Sequence, residues 1–246
     1  DRHPSSGRLG LGQCPDGDWQ KLVDQRNAVA AAARFPTRTV ADFCELGVVA
    51  NGTGLAPDKP GLHAPLLRPV ELADAFQAGG EGGLLDSTGV IDVFNCLRRP
   101  DEMSFAGGVF VIVRCDNERT WDLLRGKGHV VARNTRTAML FIGQHTLGVE
   151  APMSILSAAL LKLPTGALAP EPRVDLVART ARDFEKGERL TITDPHHHAV
   201  AGLEPELVRA MRDQDDTPVP YYMATGRKLL SDVAEGTLLT LSLIHI

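Results

Sequence analysis

GVFVIVRC, residues Gly108–Cys115, is a continuous run of β-branched and aromatic residues. A run of that kind with no polar alternation predicts a strand at the centre of a sheet, buried on both faces. Downstream, Asn117–Gly126 carries a helical pattern with a glycine stop, Ala138–Ile142 reads as a further strand, and Pro152–Leu163 reads as a largely apolar helix with proline near its start. Upstream, a short helix over Val70–Phe76 precedes a glycine cluster (Gly79, Gly80, Gly82, Gly83) and the β-forming stretch Val90–Cys96. Strands grouped beside helices in this order predict an α/β chain, an α+β domain with a partly antiparallel sheet.

Toward the N-terminus, Asp18–Phe35 is alanine-rich with apolar residues at helical spacing, and Asp18 is placed to cap its first turn. Pro36 breaks that helix. Thr39 and Asp42 then form a T-x-x-D capping signal for a second helix that ends near Asn51 and Gly52. The proline- and glycine-rich segment Gly54–Pro69 predicts an ordered loop.

Toward the C-terminus, periodicity disappears over Leu163–Pro172, the clearest boundary in the chain. Short β segments follow, with an internal echo: DFEKGERLT (Asp183–Thr191) and DVAEGTLLT (Asp232–Thr240) share D-φ-x-x-G-x-x-L-T. Each copy places glycine where a tight turn needs positive φ, so two related hairpins in a compact pseudo-symmetric β module are expected. The last six residues, LSLIHI (Leu241–Ile246), resemble a translated transposon-end sequencing adapter, against the alternative of a genuine strand. The opening Asp1–Gly17 shows no strand or helix period, and the chain reads as N-terminally truncated.

A formal charge of -5 offers no broad basic field, so nucleic acid is not the expected partner and a small molecule is. Cys14, Cys44, Cys96 and Cys115 are scattered without a C-x-x-C pair, which points to free thiols rather than a zinc knuckle or disulfide framework. No apolar run approaches the roughly 20 residues of a membrane helix, and the first residues lack the apolar core of a signal peptide. The expectation is a cytoplasmic protein without membrane contact.

ARTARDFEKGERL and GRKLLSDVAEGTLLT resemble the SAF domain, the antifreeze-like β-clip module appended to sugar-acid enzymes, over about Arg173–Thr240. ELGVVANGTGLAPDKPGLHAP (Glu45–Pro65), EGGLLDSTG (Glu81–Gly89), GVFVIV (Gly108–Val113) and HTLGVEAPMSI (His145–Ile155) resemble the catalytic domain of homoserine dehydrogenase-like proteins, which include the deoxyxylulose phosphate reductoisomerase-like enzymes. The resemblance implies a catalytic domain over residues 1–165, a small all-β SAF domain over 172–240, and suspected adapter translation over 241–246. It also implies NADP or NAD as cofactor, a small polar hydroxy or keto acid as substrate, and a homo-oligomer at full length. In that family the nucleotide is bound by a preceding Rossmann domain. The glycine-rich GRLGLG at Gly7–Gly12 has the wrong spacing for G-x-G-x-x-G and follows no strand.

Two departures mark a different branch. The lysine expected four residues before Glu45 is Ala41, and a Tyr-Arg-Pro-Tyr-His stretch is replaced by Phe141, Ile142, Gly143, Gln144 and His145.

Hydride chemistry at an alcohol carbon needs a proton donor or acceptor on the oxygen. His145, between a strand and an apolar helix with Glu150 five residues on, suits that role by type and place, or else satisfies backbone groups at a strand end. Glu45, one helical turn from Asp42, and Asn51 at the helix end would bind hydroxyls in a cleft. On a surface they are solvated charges and a C-terminal cap. The proline-rich loop gathers Asp58, Lys59 and His63, which read either as a pocket wall or as an ordinary stiffened loop. Lys59 is the nearest replacement for the missing lysine. Within this resemblance the catalytic set is His145, Glu45 and Lys59, and the substrate contacts are Asn51, Asp58, His63 and Glu150. His196, His197 and His198 read as a solvated loop rather than a metal site, and Arg98, Arg99 and Lys127 as surface charge or anion contacts. The alternative function is a non-redox SAF-domain sugar-acid-binding or lyase-like protein.

Overall fold

The computed structural model describes residues 18–114, 116–195, 198–210 and 217–245. Gly7–Gly12, Cys14, Cys115, His196 and His197 lie outside the described residues. In chain order the elements begin with α1 (Trp19–Ala32), α2 (Val40–Thr53), β1 (Ala56–Pro57), β2 (Leu66–Leu67) and α3 (Leu72–Ala75). There follow β3 (Val90–Ile91), β4 (Asn95–Cys96), β5 (Val109–Arg114), α4 (Glu118–Gly126), β6 (Val130–Val131), β7 (Thr137–Ile142) and α5 (Leu147–Leu156). The last are β8 (Val174–Thr180), β9 (Ile192–Asp194), β10 (Ala199–Val200), β11 (Leu203–Arg209), α6 (Tyr221–Ala224), β12 (Lys228–Leu229) and β13 (Ile244–His245). The chain is mixed α/β, with several small open sheets and, among the described residues, no closed barrel. No described helix is long and apolar enough to cross a membrane.

The chain divides into two compact units. Unit 1 takes residues 1–37, 64–88 and 94–166, and unit 2 takes 38–63, 89–93 and 167–246. The break read at Leu163–Pro172 is one of the places where the chain passes between them.

In unit 1 the capping signal at α1 works as expected: the Lys21 N–H donates to Asp18 Oδ1 at 2.9 Å. The sheet has the order β5-β7-β6, antiparallel throughout, with Val109 opposite Ile142 and Val111 opposite Leu140. One face carries Phe110, Ile112 and Met139 onto α3, where Leu72, Ala73 and Phe76 complete the core. Phe110 lies 5.5 Å, centroid to centroid, from both Phe76 and Phe94. Two expectations are corrected here. Within GVFVIVRC, β5 is an edge strand among the described residues, not a central one, with Val109 and Val111 exposed on the side away from Phe110 and Ile112. The apolar helix starts at Leu147, so Pro152 lies inside it rather than at its first turn, and a π-helical turn over Ser157–Leu161 ends it.

In unit 2 the helix α2 is capped by Thr39 Oγ1, which accepts the Asp42 N–H at 3.2 Å, and it stops at Gly54, whose φ of +80° suits glycine. Val90–Cys96 divides between two short parallel pairs, β1–β3 in this unit and β2–β4 in unit 1. The long β8–β11 pair runs antiparallel from Val174–Arg209 to Thr180–Leu203. The two D-φ-x-x-G-x-x-L-T copies are related by internal symmetry, but they dock on each other instead of each closing its own hairpin. Phe184 and Val233 exchange both backbone hydrogen bonds, at 2.8 and 2.9 Å. Asp183 Oδ1 accepts the Glu235 N–H and Asp232 Oδ1 accepts the Lys186 N–H, each at 2.8 Å. Gly187 and Gly236 take φ of +84° and +80°, and Leu190 and Leu239 fill equivalent places in the core. Ile244 is buried, and Ile244–His245 pairs with Lys228–Leu229.

The same core buries Tyr221, whose hydroxyl accepts the Val200 N–H at 3.2 Å. Burial pushes that phenol above its ordinary value of 10.0, with Tyr222 adding to the rise and the Val200 hydrogen bond opposing it. Because the folded state holds the proton more tightly than the unfolded chain, this stabilisation is whole below pH 10.0 and is lost as pH rises through the elevated folded value. Denaturant midpoints of the wild type are therefore expected to fall above that pH. Tyr221→Phe flattens this alkaline limb, and at neutral pH it costs about 1–2 kcal/mol for the orphaned Val200 N–H.

Candidate functional site

Unit 2 contains one histidine held between two buried carboxylates, and the parallel β1–β3 pair explains how. Its register sets Pro57 opposite Ile91, so the next residues, Asp58 and Asp92, leave the two strands side by side. The loop beyond Asp58 turns back through a Lys59 C=O to Leu62 N–H hydrogen bond of 3.0 Å and delivers His63. Leu62 and Ala64, on either side of it, have φ of +52° and +45°. Two non-glycine residues in the left-handed region are a strained arrangement that the surroundings must enforce.

The side chains of His63, Asp58 and Asp92 are 5%, 1% and 3% exposed. Asp92 is the organiser. Its Oδ2 lies 2.6 Å from His63 Nδ1, its two oxygens accept the His63 N–H at 3.1 Å each, and its Oδ1 accepts the Val93 N–H at 2.8 Å. An acceptor on Nδ1 selects the ring form that carries its proton there and leaves Nε2 as the nitrogen free to exchange one. Nε2 faces Asp58 Oδ2 at 3.6 Å, close enough for charge interaction but beyond direct hydrogen bonding. Both ring nitrogens thus face carboxylates, which holds the imidazole in one orientation.

Of the residues expected from sequence, Asp58 and His63 are brought together. Lys59 is exposed in the turn between them. Asn51 bridges α2 to β8: its Oδ1 accepts the Arg173 and Val174 N–H groups at 2.6 and 2.9 Å, and its Nδ2 donates to the Val174 C=O at 3.2 Å. Those bonds occupy its amide with backbone. Glu45 is exposed on α2, where after burial and Cys44 it contributes to raising the Tyr222 hydroxyl above its ordinary range. His145 and Glu150 belong to unit 1. The His145 N–H donates to the Gly107 C=O at 3.2 Å, while Glu150 Oε1 accepts the Thr146 N–H at 3.2 Å, fastening the first turn of α5. Asp92 is absent from the sequence-derived set. Its signal was a lone acid inside the β-forming run VIDVFN, a position where a charge stays buried only if paired.

Glycine is also required at Gly83 in the motif segments. A Cβ on Gly83 would stand 2.6 Å from the Gln77 backbone nitrogen and closer still to its carbonyl oxygen.

A cavity of about 630 Å³ beside the docked repeats is lined by Arg182, Phe184, Glu185, Glu188, Asp232 and their neighbours. Arg182 is paired with Glu188 and lies over the Phe184 ring at 3.7 Å. The lining is therefore predominantly acidic, which disfavours an anionic sugar acid. Among the described residues no grouping of His, Cys, Asp and Glu could hold a metal ion, and no glycine-rich turn joins a strand to a helix in the manner that cradles a dinucleotide pyrophosphate.

Residues 22–151, more than half of the 246, match the family model described as Oxidoreductase DRL, catalytic domain. No curated protein matches the chain.

Proposed function

The chain belongs to the oxidoreductase DRL catalytic-domain family, and from that premise we propose that it is the substrate-side part of an NAD(P)-dependent enzyme acting on a small polar hydroxy or keto acid, phosphorylated forms included. A nicotinamide supplies the hydride chemistry in such enzymes. The described residues do not form a nucleotide cradle, so none is assigned to the cofactor.

The observation that carries the proposal is the Asp58–His63–Asp92 cluster. Reduction of a carbonyl leaves negative charge on its oxygen, and a proton delivered to that oxygen lowers the barrier; oxidation of the alcohol needs the same proton removed. Asp92 holds the imidazole with Nε2 outward from the Nδ1 contact, and Asp58 lies next to the atom that exchanges the proton. Flanking prolines Pro57, Pro60 and Pro65 limit the freedom that the loop loses when the ring is held in place. The acidic lining beside the repeats argues against the non-redox sugar-acid reading.

The test is turnover of reduced nicotinamide nucleotide by the longest chain bearing this sequence, across a panel of hydroxy and keto acids and their phosphate esters. With an active substrate found, His63→Asn is expected to lower kcat about 100-fold or more while circular dichroism stays unchanged. Unchanged kcat removes His63 from proton handling. Absence of turnover across the panel overturns the redox reading.

A further inference from the structure

We propose that Arg38 anchors the carboxylate of the acid taken by the Asp58–His63–Asp92 site. This rests on the redox reading only for the chemical class of that acid. The Leu62–His63 peptide group is clamped at both ends. Its N–H points at the Asp92 carboxylate, 3.1 Å from each oxygen, and its C=O accepts a hydrogen bond from Arg38 Nη2 at 3.3 Å. Arg38 Nε also donates to the Gly61 C=O at 2.7 Å. The peptide is trans, so the carboxylate and the guanidinium stand on opposite sides of it, each facing the end of the peptide dipole of opposite sign. Arg38, exposed just before the Thr39 cap of α2, is thereby fixed beside the histidine loop, and all of these residues belong to unit 2.

How the guanidinium is held decides what it can still bind. Nε and Nη2 lie along one edge of this planar group, and that edge is occupied by the two loop carbonyls. The other edge, formed by Nη1 and the second hydrogen of Nη2, makes no hydrogen bond to the described residues, and no described carboxylate pairs with the charge. Arg173, Arg179 and Arg182 of the same unit are instead paired with Glu171, Glu206 and Glu188. Arg38 therefore presents a two-pronged donor of fixed direction, which matches the two oxygens of a carboxylate. Because backbone carbonyls already hold the group, little side-chain freedom remains to be lost on binding. Charge also calls for such a group. Asp58 and Asp92 repel an approaching acid, and Lys59, exposed on a flexible stem, supplies only an undirected point charge.

Malonate, a carboxylate probe with no hydroxyl or keto group to turn over, separates this proposal from the redox reading. Titrated into the longest chain bearing this sequence, at ionic strength held constant with chloride, it should shift the amide NMR signal of His63 saturably, while chloride alone should not. Arg38→Gln, with an unchanged circular dichroism spectrum, should weaken malonate about tenfold or more. Arg38→Lys keeps the charge without the fork and should weaken it about threefold or more, which keeps the test decisive if Arg38→Gln does not fold. Arg173→Gln, which alters an arginine already paired with Glu171, should bind as the wild type does. With an active substrate found, Arg38→Gln should raise KM about tenfold while kcat changes less. It should also erase most of the preference for the acid over its uncharged carboxamide, a change that a merely structural arginine would not produce. Malonate binding that depends on Arg38, without turnover of any acid, removes the redox reading and leaves the anchor standing. No saturable shift in the wild type, wild-type affinity in both Arg38 variants, or turnover by Arg38→Gln with an undiminished preference for the acid overturns the anchor.

Discussion

Arg26→Ala is expected to destabilise unit 1 by about 3–5 kcal/mol, because it leaves a largely buried carboxylate without its counter-charge. Arg26 sits in the alanine-rich α1 and is 2% exposed. Its guanidinium grips Glu71 with both arms, Nη1 to Oε2 at 2.7 Å and Nη2 to Oε1 at 3.0 Å, and Nη1 also donates to the Leu66 C=O at 3.2 Å. Glu71 in turn accepts the Arg68 N–H at 2.8 Å, so one carboxylate fixes both the turn before α3 and the position of α1. Arg26→Lys should recover little, since an ammonium cannot reproduce the planar two-armed grip. The double change R26M/E71L should lie within about 1–2 kcal/mol of wild type, because removing both charges also removes both desolvation costs. Urea midpoints at constant slope separate these outcomes. An Arg26→Ala chain within about 1 kcal/mol of wild type would show that Glu71 is rehydrated and that the pair is not a pillar of the unit.

The local parts of the fold were legible because they are written within a few residues of where they act. Asp18 and Thr39 cap the helices that follow them, while α2 runs past the expected end near Asn51 and Gly52 to Thr53, with Gly54 as its cap. What failed depended on partners far along the chain. GVFVIVRC has the composition of a central strand, and nothing in its own residues tells whether its second face is met by the same chain. The repeat was readable as a repeat, yet a turn that closes a hairpin and one that docks on its twin require the same glycine. Asp58 and His63 could be grouped because they stand only five positions apart. Asp92 stands 29 residues beyond His63, joined to it through the parallel register of two-residue strands, which no local pattern encodes. Arg26 was hidden for the same reason: within a surface-looking helix, its burial follows only from Glu71, 45 residues on.

Asp92→Ala is expected to be the most damaging single change in unit 2, costing about 3–6 kcal/mol, since it strands the His63 N–H, the Val93 N–H and His63 Nδ1 in a buried site. Each of these donors is directed at one carboxylate, at 3.1, 2.8 and 2.6 Å respectively. The loss should reach the backbone as well, because the positive φ of Leu62 and Ala64 is held against its intrinsic cost by the bonds at His63 between them. Asp92→Asn keeps one acceptor oxygen but turns an N–H₂ toward donors, so an intermediate loss is expected. His63→Ala, by contrast, keeps the backbone N–H and its bond to Asp92, and should cost less than Asp92→Ala. A double-mutant cycle between Asp92 and His63 isolates the side-chain coupling, expected at about 1–3 kcal/mol. A coupling near zero would mean that Asp92 anchors backbone alone. The orientation of the imidazole would then owe nothing to it, and the reason for assigning proton exchange to Nε2 would be gone.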